Sequence, residues 1–557
     1  MERHHALERL GSTRFDLLVI GGGITGAGVA RDAALRGLKV ALVEKLDFAS
    51  GTSSRSSRLI HGGVRYLEYG QFGMVRESSR ERKLLLELAP HLVRPLAFTW
   101  PVYRGDRLPR WKVGAGLWLY DMLAHFENVG RHSRLGAQGV LEAEPALAGT
   151  DLRGGARYWD AATDDVRLTV SNILGAIDVD ATVLNHCEVR ELLHGTGRVT
   201  GALVVDTLTG DERQVSADVV VNATGPWSDS LRGLDDGLQH AAVRGTKGVH
   251  LLLPRDRVEN REAVTLLSPL DGRVMFVLPA GAFTLVGTTD TRTSMTPDRV
   301  RATTEDVDYL LRSVNARFPA AGLTPADVVS AWAGLRPLVA AGQEGGAGSE
   351  GRASREHAIT WSDSQLLSVT GGKLTTYRAM AEEVVDLAVR RLHRRAAPSA
   401  SGRRPLPGGE VRDVAGEIAQ AAAVTGNPAV GEHLVHSHGA RWRRVWDLTD
   451  LDRSLGELLD PELPYIAAEV VHAATRELAC TPADVLIRRF PLAYETRDHG
   501  REVAPLVAQL MSPHVKRTAE ALLAGYDDEV DRIFTVEQAE PDGNSPGDSE
   551  IAARVTG

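Results

Sequence analysis

Gly21-x-Gly23-x-x-Gly26 constrains this chain more than any other feature, because it stands between an apolar run and a stretch with helical spacing. Phe15 to Ile20 reads as a buried parallel strand entering a tight turn at Gly21-Gly22-Gly23. Ile24 to Arg36 has helical spacing and stops at Gly37, and Leu38 to Val43 reads as a second strand closed by Glu44. Together they make a complete βαβ unit, which commits this part of the chain to an α/β fold around a dinucleotide. The first glycine permits the turn, the second lets a pyrophosphate approach the backbone, and the third, Gly26, lets helix and strand pack closely. The helix N-terminus, at Ile24 and Thr25, adds N–H donors and a partial positive charge. Glu44 is placed to accept hydrogen bonds from a ribose diol. The unit alone does not distinguish FAD from NAD.

The residues that follow do. Thr52, Ser53, Ser54 and Ser57 come directly after the acidic residue, where they supply hydroxyl and backbone donors to the far half of a longer dinucleotide. Asn222-Ala223-Thr224-Gly225-Pro226-Trp227 follows a later apolar strand, and its small residues let the strand end lie against the cofactor. Gly371-Gly372-Lys373-Leu374-Thr375-Thr376-Tyr377-Arg378 joins a strand to a helix, with N–H groups suited to the electron-rich edge of a reduced flavin. Each signal is weak alone, and the ordered set is specific.

With these motifs the chain resembles the FAD-dependent glycerol-3-phosphate dehydrogenases, within the D-amino-acid-oxidase-like flavoproteins. The matching residues are Gly-Gly-Gly-Ile-Thr-Gly at 21–26, Ser-Ser-Arg-Leu-Ile-His-Gly-Gly-Val-Arg-Tyr-Leu-Glu at 56–68 and Asp164-Asp165-Val166-Arg167-Leu168. Ala-Thr-Gly-Pro-Trp at 223–227, Lys247-Gly248-Val249-His250, Gly287-Thr288-Thr289-Asp290, Gly334-Leu335-Arg336-Pro337-Leu338 and the 371–378 run complete them. Asp484-Val485-Leu486-Ile487-Arg488-Arg489 looks like the family's C-terminal domain, although Phe490-Pro491 stands where a polar residue and a further arginine are usual.

The resemblance implies oxidation of sn-glycerol 3-phosphate to dihydroxyacetone phosphate by hydride transfer to flavin N5, with electrons passed to a quinone. The nearest alternative is a glycerol-3-phosphate oxidase that uses oxygen and makes peroxide. His250, Arg336 and Lys373 match catalytic positions. A histidine is the more natural proton acceptor, while an arginine stays protonated and stabilises a developing alkoxide. Arg65, Tyr66 and Arg355 are the candidates for gripping the phosphate, since a guanidinium fork matches its oxygens. The cofactor set adds His61, Gly62, Gly63 and Val189 to the residues above. Asp164 and Asp165 are expected to fix a loop and pair with Arg167 rather than act as acid and base. No metal site is expected, because the histidines are scattered.

The expected architecture is α/β: an FAD-binding Rossmann-like domain interleaved with a β-rich substrate domain over residues 15–395, then a mainly helical C-terminal domain over 410–540. Residues 1–14 read as a tail, 396–409 as a linker rich in Ala, Pro, Ser, Gly and Arg, and 541–557 as a disordered tail. The run from Ala340 to Gly351 reads as a flexible loop. The 557 residues carry a net charge of −9, which disfavours nucleic acid as a partner. Cys187 and Cys480 are too few for a disulfide framework and suit a reducing cytoplasm. The sequence shows no signal peptide and no run of about 18 apolar residues. Basic and aromatic residues mix between Arg107 and Met122, including Trp111, Lys112 and Trp118. That suits either interior packing or a peripheral contact with the inner face of the cell membrane. The oligomeric state is left open, a homodimer included.

Overall fold

In the computed structural model, residues 3–235, 243–293, 295–339 and 357–538 are described. The 340–351 run, Arg355 and residues 541–557 lie outside them.

The first strand, Arg14–Ile20, is buried from Phe15 onward and pairs in parallel with Val40–Val43 on one side and Glu212–Asn222 on the other. Leu366–Gly371 extends this parallel core beyond the 212–222 strand, and Thr182–Leu184 extends it beyond the 40–43 strand. Such two-sided burial explains the continuous apolar runs. Helices Ile24–Leu35, Asp165–Ile177 and Tyr377–Leu392 cover one face, meeting Leu17, Val19 and Val221. Antiparallel strands Cys187–Gly195 and Arg198–Asp206 cover the other, together with the helix Arg3–Ser12. Residues 1–14 were expected as a tail. Their charges and histidines conceal an apolar stripe, Ala6, Leu7 and Leu10, which packs onto the back of the sheet.

The chain leaves this sheet twice to build a second one. Leu59–Ile60, Arg94–Tyr103, Ser133–Leu135 and Leu152–Ala162 come from the first excursion. Val243–Pro254, Ala263–Leu267, Val274–Ala280, Phe283–Gly287 and Ser330–Val339 come from the second. The interleaving expected of the cofactor and substrate domains is therefore present.

Residues 396–409, read as a linker, run against the cofactor-side helices. Arg31 donates to the carbonyls of Arg404 and Pro405, and the Ser399 hydroxyl donates to Asp32. Helices Val414–Thr425, Pro428–His438, Ala467–Arg476 and Ala504–Val515 then form the C-terminal part. Its aromatic core continues directly into the second sheet, where Tyr494 meets Trp332 edge-on at 4.8 Å.

Candidate active site

The turn after the first strand works as the glycine spacing requires. Gly21 has φ of 110°, a conformation costly for any other residue, and a Cβ on Gly26 would lie 1.9 Å from the Gly21 carbonyl oxygen. Gly23 opens the helix without a side-chain cap. Here a cavity of about 550 Å³ begins, lined by Gly21, Gly23, Ile24, Thr25, Glu44, Thr52 and Ser53. Val189, Thr224 and Gly225 line it further along, and Gly372, Lys373 and Leu374 close its far end. The Glu44 carboxylate accepts from the N–H groups of Gly22 (2.7 Å) and Leu46 (3.0 Å). Burial raises its pKa. Oriented in this way, its remaining lone pairs are at the cavity wall. The Ser53 hydroxyl accepts from Ile24 N at 2.9 Å, so this serine fastens the loop to the helix N-terminus.

A second cavity, of about 240 Å³, abuts the first, and Thr52, Ser56, Pro337, Gly372, Lys373 and Leu374 line both. Its described lining includes the cations Arg55, Arg65, Arg273, Arg336 and Lys373 against the carboxylates Asp160 and Asp290. Asp160 is already committed, accepting from Arg82, from the Tyr120 hydroxyl at 2.7 Å and from Gly62 N at 3.0 Å. Arg336 is held in a fixed pose by Asp290 (2.9 Å), the Thr288 hydroxyl (2.9 Å) and the Thr289 carbonyl (3.1 Å). Lys373 donates to Ser78 at 3.0 Å and stands 4.4 Å from the centre of the Tyr66 ring. An anion entering this chamber meets positive potential at low dielectric.

His250 is carried by the 243–254 strand and stacks on Trp332 at 5.9 Å, with Nε2 2.9 Å from the Ser57 hydroxyl. Burial, then the Arg336 and Arg58 cations, push its pKa down to about 3. The ring is thus neutral near pH 7. Among the described residues its Nδ1 has no hydrogen-bond partner.

The expected site residues divide between the two cavities. Ser57, His61, Gly63, Arg65, Tyr66 and Thr375 line the smaller chamber rather than the longer cavity. Ser54 and Gly62 line neither. The Ser54 hydroxyl turns back to the Gly51 carbonyl, and Gly62 is packed so tightly that a Cβ would meet the Tyr120 hydroxyl at 2.2 Å. Arg355 lies outside the described residues.

Asp164 and Asp165 do fix a loop, but not by pairing with the Arg167 side chain. Asp164 caps the 165–177 helix through Arg167 N, and Asp165 accepts from Ser56 N (3.1 Å) and its hydroxyl (2.6 Å). The Arg167 guanidinium instead binds Glu477 of the C-terminal part at 2.7 and 2.9 Å.

Sequence reasoning passed over Arg55 and Asp290. Arg55 is buried, donates to the Ala333 carbonyl at 3.0 Å, and burial lowers its pKa to about 10. It stands among the hydroxyl residues of Ser53-Ser54-Arg55-Ser56-Ser57. The fold also gathers His186, Cys480 and Asp484, and His438, His472 and Glu477, into groups with metal-ligand geometry. Each carboxylate is already engaged, Asp484 with His186 and Arg488, Glu477 with Arg167.

Comparison with known proteins agrees with this geometry. Residues 16–378 match the family model described as FAD dependent oxidoreductase, and residues 399–522 match the C-terminal domain of alpha-glycerophosphate oxidase. The chain is 39% identical to glycerol-3-phosphate dehydrogenase 2 of Mycobacterium tuberculosis, over 97% of this chain and 92% of that one. It is 38% identical to the aerobic glycerol-3-phosphate dehydrogenase of Bacillus subtilis, over 88% of this chain and 89% of that one. The crystal structure of the glycerol-3-phosphate dehydrogenase from Bacillus halodurans complexed with FAD superposes with a TM-score of 0.79 at 31% identity. That match covers 96% of this chain and 99% of the other.

Proposed function

Because the chain belongs to the FAD-dependent oxidoreductases and carries the C-terminal domain of alpha-glycerophosphate oxidase, we propose that it oxidises sn-glycerol 3-phosphate to dihydroxyacetone phosphate. The cofactor is FAD, and the residues present fit it. Gly21 and Gly23 clear space for a pyrophosphate at a helix N-terminus, Glu44 faces the ribose position, and the cavity runs on to the Gly372-Lys373-Leu374 turn. When bound, FAD would supply the two-electron acceptor for a hydride leaving the substrate carbon.

The observation that carries the reading is the junction itself: a dinucleotide cavity opens onto a small chamber with a surplus of cations and a neutral histidine. Arg65, Arg355 and the Tyr66 hydroxyl take the phosphate, with Lys373 near the cofactor end. His250 accepts the hydroxyl proton at Nε2, held against Ser57. Arg336, pinned by Asp290 and Thr288, stabilises the oxygen as it becomes anionic.

The electrons pass on to a quinone at the cell membrane. This reading is supported by an outward face of the helix Arg110–Leu123, whose other face, Val113, Leu117 and Tyr120, is buried. Trp111 (67% exposed), Trp118 (53%) and Met122 (39%) share that outward face at i, i+7 and i+11, beside exposed Arg107, Arg110 and Lys112. Phe126 just after this helix, and Tyr69 and Phe72 on segments packed against it, are also exposed. Aromatic and basic groups mixed in this way suit an anionic headgroup layer. No helix among the described residues is long and apolar enough to cross a membrane.

Turnover with glycerol 3-phosphate, comparing a soluble quinone with oxygen, tests the acceptor. Dihydroxyacetone phosphate formed with the quinone and little peroxide is expected, whereas peroxide at the full turnover rate would make the chain an oxidase. Flotation with anionic liposomes is expected to lift the protein, and Trp111→Ser with Trp118→Ser to leave it at the bottom of the gradient. Wild-type protein remaining at the bottom would end the membrane reading.

A further inference from the structure

A third cavity, of about 1240 Å³, is larger than the two at the active site and separate from them. It lies where the 3–12 helix and the 165–177 helix meet three segments of the C-terminal part, residues 437–448, 472–480 and 513–517. Its size exceeds that of an ordinary small-molecule pocket of roughly 300–1,000 Å³, so space does not limit a ligand of nucleotide size.

The charge around it is one-sided once internal pairs are removed. Asp206 binds Arg3 at 3.0 Å, Asp178 binds Arg441 at 2.8 Å, and Glu477 binds Arg167 at 2.7 Å. The remaining cations are Arg444, Arg476, Lys516 and Arg517, none of which has a carboxylate within salt-bridge distance among the described residues. The one acid left over, Asp211, lies 3.9 Å from Arg213, outside the cavity. Arg444, Arg476 and Lys516 are exposed, each from a different one of the three C-terminal segments. Below them the wall is apolar, with Leu7, Leu174, Ile177, Val183 and Leu448. Cations on three separate segments around one space keep an anion bound far better than a single basic stretch, because one ligand neutralises all of them at once.

We propose that this cavity is a second ligand site, for an organic polyanion that sets two or more phosphate or carboxylate groups against Arg444, Arg476, Lys516 and Arg517 and a flat or apolar body against the Leu174–Ile177 wall. A nucleoside triphosphate has that composition. The site bridges the cofactor part and the C-terminal part. Its wall helix begins at Asp165, whose carboxylate holds Ser56 at the active chamber.

The test is equilibrium binding of ATP to the FAD-loaded full chain, with inorganic tripolyphosphate as the probe of charge alone. In the FAD-loaded protein the cavity behind Gly21 would be filled, so ATP cannot bind there. One ATP per chain is expected, with tripolyphosphate weaker. Arg444→Ser with Arg476→Ser is expected to weaken ATP at least tenfold, about 1.4 kcal/mol, while the bound-flavin spectrum stays unchanged. Lys516→Ser, on another segment, gives an independent loss. No binding of ATP at millimolar concentration, or equal affinity in the variants, would overturn the site. Tripolyphosphate binding as tightly as ATP would overturn the organic ligand. None of these outcomes depends on whether glycerol 3-phosphate is the substrate of the active chamber.

Discussion

His250 shows how its surroundings set the charge of one residue. An exposed imidazole is partly protonated near neutrality, but this ring is buried and faces two guanidinium groups, so it stays neutral well below the working pH. His250→Asn is expected to lower kcat by about 10²–10⁴-fold with the flavin still bound, measured by steady-state turnover and by the visible spectrum. Arg336→Lys is expected to cut kcat by about 10²-fold or more, because a lysine cannot hold the forked contacts to Asp290 and Thr288 together. His250, Arg336 and Lys373, each set in a short motif of fixed order, meet at the smaller chamber. Arg55 and Asp290 were not singled out. Their partners, the Ala333 carbonyl and Arg336, come from a distant strand, so the local sequence around each does not show the contact.

Among the elements, the loop after Glu44 has the most unexpected support. Asp47, fully buried, accepts from Arg488 Nε (3.0 Å), from Arg489 Nη1 (2.7 Å) and Nη2 (3.0 Å), and from the Asn185 amide (2.8 Å). The C-terminal part therefore grips the loop that aims Glu44 and Ser50 at the cofactor cavity. Asp47→Asn removes one countercharge from two buried arginines, which keep Asp484, Glu529 and Glu477, and is expected to cost about 1–3 kcal/mol. It is expected to weaken FAD retention as well as stability, measured by flavin content after dialysis against fluorescence of the released cofactor. Gly26→Ala is expected to abolish FAD binding outright, because the added methyl collides with the Gly21 carbonyl.

The turn and its glycines were plain in the sequence because the constraint is local. The Asp47 clamp spans more than 400 positions along the chain and left no periodic trace. The 396–409 segment misled for a related reason. Its Pro, Gly and Ser content is that of a loose connection, yet backbone carbonyls at 404 and 405 and the Ser399 hydroxyl anchor it.

On the scale of the whole molecule, buried neutral histidines such as His91 and His250 make the fold sensitive to acid. His91 is fully buried beside Gly408 and Gly439, where the 396–409 segment meets the C-terminal part, and burial lowers its pKa to about 3. In the unfolded chain it titrates near 6.5, so between these values the unfolded state binds more protons. Stability is complete above pH 6.5 and falls as the pH drops toward 3, by up to about 1.4 kcal/mol per pH unit for each such group. Thermal melts are therefore expected to show the melting temperature dropping steeply below about pH 6. His91→Gln, which cannot charge, is expected to flatten that slope whatever its effect at pH 8.

The interleaving of two sheets was legible because alternating strand signals and returning motifs run along the chain. How the helical part docks was not, since its contacts, Arg167 with Glu477 and Tyr494 with Trp332, pair residues hundreds of positions apart. The central claim concerns the junction of the two cavities, and anaerobic mixing of the FAD-loaded protein with glycerol 3-phosphate tests it most directly. Rapid bleaching of the visible flavin absorption is expected with glycerol 3-phosphate, but not with glycerol or with amino acids. A flavin that stays oxidised with glycerol 3-phosphate, or bleaches equally with an amino acid, would contradict the account.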